Sequence, residues 1–309
     1  MIQRLLPFLT LIVLFVGLAI ASPEHFLSKT NLSSVVRQTA VINLMALGMT
    51  LIIISGGIDL SVGAILAMAG LLGTMAMEKG YPILLGIAIG ILTGCLCGFA
   101  NGFMTTRLKI NPFIVTLGTM GIIRGLTLII SNGLPVHQIP PAFSYLGEGN
   151  LVGVPFVLWV LVGCALCTHV ILEHTRLGRY TFSIGSNVDA ATYAGIHVNL
   201  YTTAVYAIGG ALTGLAGMIE ASRLMTGQPT AGQGYELQAI AAVVIGGGSL
   251  RGGEGSVVGT LIGAFIMGLL ANGSDLLGIS PYVQQAIIGA VIILAVSVDE
   301  LRKRKLTAG

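Results

Sequence analysis

Charged residues are scarce in this chain. Only 9% of its 309 residues are Asp, Glu, Lys or Arg, whereas 54% are hydrophobic. Soluble domains carry about 25% charged residues. The low share suits a lipid environment, because each charge at mid-bilayer costs about 2.5 to 3.5 kcal/mol on insertion scales. The net charge of +3 therefore does not indicate nucleic-acid binding, and we expect no nucleic-acid partner.

Cysteine and histidine are also few, and their spacing argues against a metal or catalytic centre. The four cysteines all lie in apolar runs. Cys164 and Cys167 have the C-x-x-C spacing of redox and zinc sites, but the polar surroundings that such sites need are missing. The closest histidines, His169 and His174, lack the i, i+4 spacing of a helical metal site. We predict neither a bound metal nor a catalytic residue.

Apolar segments dominate the sequence and predict an all-α polytopic membrane protein with about ten transmembrane helices in one domain, residues 1–309. A span needs about 20 apolar residues, fewer if the helix is short or broken. The second and third segments form either two spans or one long broken helix pair, and the eighth is short. The first ends like a signal peptide, in Ala19-Ile20-Ala21, but the many later spans favour a retained helix. The predicted spans are 5–21, 37–55, 60–78, 82–105, 112–131, 153–173, 200–221, 235–249, 254–273 and 281–298.

The basic residues orient these spans. With the N-terminus in the cytoplasm, ten of the 15 Lys and Arg residues lie inside. Lys29, Arg37 and Lys79 lie outside, while Arg124 and Arg223 lie in or near spans. This bias follows the positive-inside rule and places both the N- and the C-terminus in the cytoplasm. The inside residues are Arg4, Arg107, Lys109, Arg176, Arg179, Arg251, Arg302, Lys303, Arg304 and Lys305.

The segment from Gly56 to Gly63 interrupts an apolar run. Gly56 and Gly57 break the helix, and Asp59 and Ser61 then offer oxygen atoms at the start of the next one. A carboxylate there can cap free N–H groups and complements the helix dipole. The segment is either a capping turn or a gate whose backbone changes with the access state. Irregular backbone at this depth must be buried in protein or face water.

The longest inside loop, residues 174–199, contains a predicted short helix. Ser186 or Asn187 is a suitable N-cap, Asp189 lies in the first turn, and Gly195 stops the helix. Such a helix is too short to fold alone. It belongs either to a solvated connecting loop or to a docking surface for a partner. Its small contact residues would be Ala190, Ala191 and Ala194.

The most polar outside stretch follows the seventh predicted span. Glu220 and Arg223 are three residues apart, so they share a helix face and can pair. The pair is either a local charge balance or part of a loop, up to residue 238, that lines an outer vestibule or touches a partner. Arg124 lies within a span, and an intramembrane arginine is a functional candidate by default. Its partner cannot be read from the sequence.

The segment 244–256 is as rich in glycine as a phosphate-binding loop but lacks the residues with which such a loop binds phosphate. A Walker A loop requires Lys directly after its last glycine, and no Lys follows here. A dinucleotide-binding fingerprint requires a βαβ unit, which a membrane chain does not offer. We interpret the segment as a tight inside turn. The chain is therefore expected to hydrolyse no ATP, to be no enzyme, and to hold no cofactor of its own.

Three segments together resemble the ribose-type permease family of bacterial ABC sugar importers, and the likeness runs over nearly the whole chain. They are Gly56–Gly63, the loop 178–196, and the stretch 228–247. The resemblance implies a multi-pass permease subunit of the bacterial inner membrane that imports a ribose-like monosaccharide. The implied partners are a cytoplasmic ATPase subunit that binds ATP, a periplasmic sugar-binding protein and a second permease, which is a homodimer copy or a related chain.

The resemblance also implies roles for individual residues. The loop 186–196 corresponds to the coupling helix that docks on the ATPase, although Tyr193-Ala194 stand where relatives often have Leu-Ser. The expected docking residues are Ser186, Asn187, Asp189, Ala190, Ala191, Gly195 and Ile196. The expected gating or pathway residues are Gly56, Gly57, Asp59, Ser61, Arg124, Glu220 and Arg223.

An ion-coupled secondary transporter of a small polar solute is the alternative. Such a transporter needs intramembrane carboxylates, and Asp59 is the one plausible candidate. Aromatic residues make up only 6% of the chain, so a deep, high-affinity sugar pocket within it is not expected. The identity of the sugar is not encoded in any motif that we recognise.

Overall fold

A computed structural model describes residues 2–307, and it is almost entirely helical. This confirms the all-α polytopic class. The side chains of Arg4 and of the basic cluster 302–305, which support the predicted orientation, lie outside the described part. The helices are α1 (Ile2–Ala21), α2 (Pro23–Phe26), α3 (Lys29–Ile54), α4 (Val62–Glu78), α5 (Ile83–Arg107), α6 (Pro112–Ser131), α7 (Tyr145–Glu148), α8 (Phe156–His174), α9 (Arg176–Ser186), α10 (Val188–Tyr193), α11 (Val198–Leu224), α12 (Tyr235–Ile245), α13 (Val257–Leu276) and α14 (Pro281–Thr307).

The ten predicted spans each coincide with one of these helices. Six helices in the described part are long and apolar enough to cross a membrane, namely α3, α5, α6, α8, α11 and α13. Four shorter apolar segments fall in α1, α4, α12 and α14. The total of ten crossings and the cytoplasmic termini stay predictions.

Three helix boundaries differ from the sequence prediction by four residues or more. One is the end of α14, which reaches Thr307 rather than 298. Helix α3 begins at Lys29 rather than at 37, because Ser28 caps it by accepting a hydrogen bond from the Asn31 N–H at 3.2 Å. Its polar first turns lead to Arg37, which pairs with Glu148 at 3.2 Å. Helix α12 ends at Ile245 rather than at 249. Gly246 follows as its C-cap, and Gly247 adopts a left-handed conformation with a φ of +91°.

The connection between α6 and α8, which is predicted to lie outside, contains the two short strands found in the described residues. Strands β1 (Asn150–Leu151) and β2 (Val154–Pro155) pair antiparallel, with Leu151 opposite Val154. The connection also contains a 3₁₀ turn (Pro141–Ser144) and α7. It packs on the end of α11, where the Ser222 hydroxyl accepts a hydrogen bond from the Gly147 N–H at 2.9 Å.

Helices α5 and α11 pack closely, with backbone approaching backbone. Helix α5 repeats glycine every fourth residue and turns this small face towards α11. A Cβ added at Gly94 would lie 2.8 Å from the Gly214 Cα, and one added at Gly98 would lie 3.0 Å from the Gly210 Cα. Small residues allow such backbone approach in membranes. The repeated glycines are Gly86, Gly90, Gly94, Gly98 and Gly102.

Helices α4 and α12 are short because each follows a non-helical break within the protein. At about 1.5 Å per residue they measure roughly 26 and 16 Å, less than a hydrocarbon core of about 30 Å. Their beginnings meet, since a Cβ added at Gly232 would lie 3.3 Å from the Gly63 Cα. The break before α4, residues 55–61, and the break before α12, residues 225–234, therefore approach each other inside the bundle.

Candidate functional site

The first break, residues 55–61, contains the two glycines that were predicted to break the helix. The local geometry requires glycine at both positions. Gly56 has a φ of +85°, a left-handed conformation that favours glycine. A Cβ at Gly57 would collide with the phenol oxygen of Tyr206 in α11. The Gly57 N–H still bonds to the Ile52 carbonyl at 3.0 Å and so terminates α3. The helix break predicted at these two residues is present.

Asp59 is fully buried and closes the turn just before α4. Its Oδ1 accepts hydrogen bonds from the Ser61 N–H at 2.8 Å and from the Ser61 hydroxyl at 2.6 Å. Asn101 of α5 donates from Nδ2 to Asp59 Oδ2 at 3.2 Å and to the Ser61 hydroxyl at 2.8 Å. The predicted turn, with Asp59 accepting from a free N–H group, is therefore present. Among the described residues no cationic side chain pairs with Asp59.

The backbone of the first break is also held by neighbouring helices. The Ile58 carbonyl accepts hydrogen bonds from the Thr116 hydroxyl in α6, at 3.2 Å, and from the Tyr206 hydroxyl in α11, at 3.4 Å. Sequence reasoning did not select Asn101, Thr116 or Tyr206. A polar residue in an otherwise apolar helix is the available signal, since it needs a buried partner. Whether the break moves as a gate stays a prediction.

The second break, residues 225–234, supplies the partner of Arg124. The guanidinium Nη1 donates hydrogen bonds to the Pro229 carbonyl at 2.8 Å and to the Ala231 carbonyl at 2.9 Å. Gly227 is fixed on the other side by paired backbone hydrogen bonds with Val136, at 3.1 and 2.9 Å. An intramembrane arginine thus anchors irregular backbone within the protein, as such backbone requires.

Glu220 and Arg223 form the predicted ion pair, at 3.1 Å. Glu220 is buried, and its Oε1 also accepts a hydrogen bond from the Tyr235 hydroxyl at 3.3 Å. Because Tyr235 is the first residue of α12, the pair links the end of α11 to the start of α12. The pair therefore stabilises the second break from inside the protein and does not present two charges at the surface.

The predicted short helix in the inside loop is present as α10. The Asn187 side chain caps it by accepting a hydrogen bond from the Ala190 N–H at 2.9 Å. Gly195, with a φ of +82°, ends it, and the Ile196 N–H bonds back to the Ala191 carbonyl at 3.1 Å. Ala191 faces inwards at 3% exposure. Four further docking candidates are exposed: Ser186, Asn187, Asp189 and Ala190.

The outward surface of α10 is more apolar than predicted. Tyr193 is 91% exposed and Val188 is 50% exposed. Both side chains are therefore free to contact a protein partner. Of the three alanines expected to form the contact, only Ala190 and Ala194 are on the surface.

Helix α9, which carries α10, was missed in the sequence analysis. Its signals are local: Thr175 accepts an N-capping hydrogen bond from the Gly178 N–H at 3.3 Å. Gly178, Thr181 and Ile184 then recur every third residue and are all buried. This spacing forms one helix face.

No group of three or more His, Cys, Asp and Glu side chains that could hold a metal ion occurs in the part of the chain that the structure describes. Cys164 and Cys167 are both free cysteines in α8. The rings of His169 and His174 make an edge contact, with centroids 5.9 Å apart.

Comparison with known proteins places this architecture among transport proteins. Residues 31–296 match the family model described as branched-chain amino acid transport system / permease component. The chain is 43% identical over 300 residues to the ribose import permease protein of Escherichia coli K12. The aligned region covers 95% of this chain and 94% of that protein.

Two further relatives extend the comparison. The chain is 44% identical over 299 residues to the ribose import permease protein of Bacillus subtilis 168, covering 96% of this chain and 92% of that protein. It is 37% identical over 292 residues to the L-arabinose transport system permease protein of Escherichia coli K12, covering 94% and 89%. No solved structure matches the chain.

Proposed function

Because this chain belongs to the family of branched-chain amino acid transport system / permease components, we propose that it is the membrane subunit of an ATP-driven importer of a ribose-like monosaccharide. The observation that carries the proposal is the identity of 43% to a ribose import permease over 95% of the chain. Relatives named for D-allose and L-arabinose transport are less similar, at 37%. The chain is a multi-pass protein of the bacterial inner membrane and a transport component rather than an ATPase.

The energy for transport comes from ATP bound by a separate cytoplasmic subunit. The glycine-rich turn 246–256 supports this assignment, since it folds back on itself through a hydrogen bond from the Ser249 N–H to the Glu254 carbonyl at 3.1 Å. It joins α12 to α13 and offers no lysine for a phosphate. The exposed Tyr193 and Val188 of α10 are the surface on which the ATPase subunit docks.

A periplasmic sugar-binding protein docks on the opposite face. The outer connection is attached to α11 there by a hydrogen bond from the Ser222 hydroxyl to the Phe143 carbonyl, at 2.5 Å. Its tip presents Val152, which is 86% exposed. Sugar selection by this partner agrees with the shortage of aromatic residues in the permease.

A second copy of the chain completes the pathway. One cavity, of about 380 Å³, is lined by apolar side chains of α1, α3 and α13, such as Leu11, Phe15 and Leu269, and does not suit a polar sugar. Helix α6, by contrast, leaves Gly118 and Gly121 facing open space close to the anchored Arg124. Two copies that pack through these small residues would enclose a path between them.

The α6 contact is tested by cysteine cross-linking in native membranes. Gly118→Cys is expected to yield a cross-linked dimer upon oxidation, in a background without the four native cysteines. Gly163→Cys in α8 is the matched control, because Gly163 also faces open space. Cross-linking at 163 but not at 118 would contradict the α6 interface.

The function is tested by reconstituting the chain with its ATPase subunit and its binding protein. We expect sugar uptake and stimulated ATP hydrolysis with a ribose, allose and arabinose panel, highest for ribose. Uptake that needs a proton or sodium gradient and proceeds without ATP would overturn the proposal in favour of the secondary transporter.

Two surface variants separate the partners. Tyr193→Asp is expected to release the ATPase subunit during purification, while Val152→Asp retains it but loses stimulation by the binding protein. Retention of the ATPase subunit by the Tyr193 variant would contradict docking on α10.

A further inference from the structure

Three glycine-rich segments, far apart in the sequence, meet backbone to backbone at one point. They are the end of α3 with Ile54 and Gly56, the end of α9 with Gly185, and the turn between α12 and α13 with Gly252 and Gly253. We call these five residues the glycine junction. In the sequence each segment is a separate motif.

The contacts within the glycine junction leave no room for a side chain at Gly185 or Gly252. The Gly253 N–H donates a hydrogen bond to the Ile54 carbonyl at 2.9 Å. A Cβ at Gly185 would collide with that same carbonyl and would lie 2.6 Å from the Gly253 nitrogen. A Cβ at Gly252 would lie 2.9 Å from the Gly56 Cα and 3.0 Å from the Gly185 Cα.

Each of the three segments leads directly to a mechanistically important element. Gly185 stands just before α10, and Asn187 is the single residue between α9 and α10. Gly56 opens the first break, which leads into α4. The turn with Gly253 follows α12, the helix that begins at the second break. One point of contact therefore adjoins the docking helix and both broken spans.

Helix α9 is built to transmit displacement to this point. Its buried face of Gly178, Thr181 and Ile184 packs inside the bundle, and this packing restrains the helix against bending. At its end the Asn187 N–H remains bonded to the Ser183 carbonyl at 3.1 Å. Backbone atoms in van der Waals contact yield less than a flexible side chain does, so a displacement passes through them directly.

We propose that the glycine junction passes a displacement of α10 to both broken spans at once, with Gly185 as the positioning residue. The inference rests on the proposed function, because it takes the ATPase subunit as the source of the displacement. A shift of Gly185 displaces the Ile54 carbonyl, which adjoins the first break. It also displaces Gly253, in the turn that follows α12, and α12 is the helix that begins at the second break. The beginnings of α4 and α12, which meet at Gly63 and Gly232, then move together.

The test is Gly185→Ala in the full complex with the ATPase subunit and the binding protein. We expect assembly and basal ATP hydrolysis to persist. Uptake per ATP hydrolysed and stimulation by the loaded binding protein should fall by about 5- to 150-fold, the usual range of a coupling between sites. The matched control is Gly255→Ala in the same glycine-rich turn, whose Cβ would meet chiefly the flexible Ile54 side chain, at 2.8 Å.

A purely structural role for Gly185 would give a different pattern. Basal hydrolysis, stimulated hydrolysis and uptake would then fall in proportion, and this result would overturn the inference, as would normal uptake. Should Gly185→Ala fail to assemble, Gly56→Ala serves instead, because its Cβ would have the Gly185 Cα at 3.8 Å as its nearest atom. Gly234→Ala, at a similar positive φ with open space around it, controls for the backbone strain that Gly56→Ala also introduces. A wild-type complex without sugar-stimulated ATP hydrolysis would instead refute the proposed function itself.

Discussion

The two breaks that interrupt the bundle are stabilised in opposite ways. The first, residues 55–61, is closed around Asp59 by side chains of three surrounding helices, and Asp59 and Ser61 are fully buried. In the second, residues 225–234, two backbone carbonyls accept hydrogen bonds from Arg124. The side chains of Thr230 and Gln233 are exposed. We call the first break the joint, because it is buried, and the second the wall, because it presents two polar side chains at the surface.

This contrast assigns different tasks to the two breaks in the proposed importer. A joint must keep its buried charge satisfied while helices move around it, and both carboxylate oxygens of Asp59 accept hydrogen bonds from protein groups. A wall along a sugar path must offer polar groups to the solute, which Thr230 and Gln233 do. The variants below are ordered by the size of their expected effect on this difference.

Asp59→Ala is expected to have the largest effect. It leaves the Ser61 N–H and the Ser61 hydroxyl without their acceptor in a buried site, and each unsatisfied group costs about 1 to 3 kcal/mol. Uptake should be abolished and the midpoint of thermal unfolding lowered, as measured by a thiol- or fluorescence-based melt of the purified protein.

Asp59→Asn is the matched control for that variant. Asn101 Oδ1 is buried and has no hydrogen-bond partner, so a flipped Asn101 amide can accept a hydrogen bond from the amide introduced at position 59. We expect most of the stability and of the uptake to remain. Complete loss of uptake in a stable Asp59→Asn protein would show that the negative charge itself is needed and would revive the ion-coupled alternative.

The sequence predicted the first break well because its determinants are local. Gly56, Gly57, Asp59 and Ser61 form a turn within six residues, and the turn geometry follows from their side chains. The partners that seal the break, such as Asn101 and Tyr206, come from distant helices, and no spacing rule connects them to it.

The second break was predicted less completely for a physical reason. Arg124 was recognised as a charge in need of a partner, but the partners are the Pro229 and Ala231 carbonyls, and a backbone carbonyl has no sequence signature. Hydropathy likewise placed the end of α12 at 249, because glycines are compatible with an apolar span. The structure ends the helix at Ile245, before a left-handed Gly247.

Gly232→Ala should have the second-largest effect, since Gly232 lies where the two breaks meet. Its φ is +70°, and an added Cβ would lie 2.7 Å from the Gly63 carbonyl oxygen. The strain is of the order of 1 to 3 kcal/mol. We expect strongly reduced uptake, measured with proteoliposomes. Gly234→Ala is a control for backbone strain alone, because Gly234 has a φ of +80° with open space around it. Equal losses in the two variants would argue that the Gly63 contact is unimportant.

Arg124→Ala should have an intermediate effect that falls on the second break alone. It removes two hydrogen bonds to the loop, and such bonds in membrane proteins are worth roughly 0.6 to 1.7 kcal/mol each. We expect a modest loss of stability but a clear loss of uptake, because the wall is no longer held in place. Arg124→Lys keeps the charge and one donor group, so it should be intermediate between wild type and Arg124→Ala. A Lys variant as impaired as the Ala variant would indicate that the guanidinium geometry, rather than simple anchoring, is required.

The smallest effect on stability is expected for Gln233→Ala and Thr230→Ala. Both side chains are exposed, and surface substitutions usually change stability by no more than about 0.5 kcal/mol. If the second break lines the sugar path, these variants will nevertheless change the ratio of uptake rates for ribose and arabinose. Gln38→Ala, at an exposed position of α3 outside both breaks, is the comparison for an unrelated glutamine. The binding protein fixes the sugar delivered, so the ratio must be measured with one binding protein that accepts both sugars. An unchanged ratio in both variants would leave the second break as a brace for α12, with the sugar passing elsewhere between the two copies.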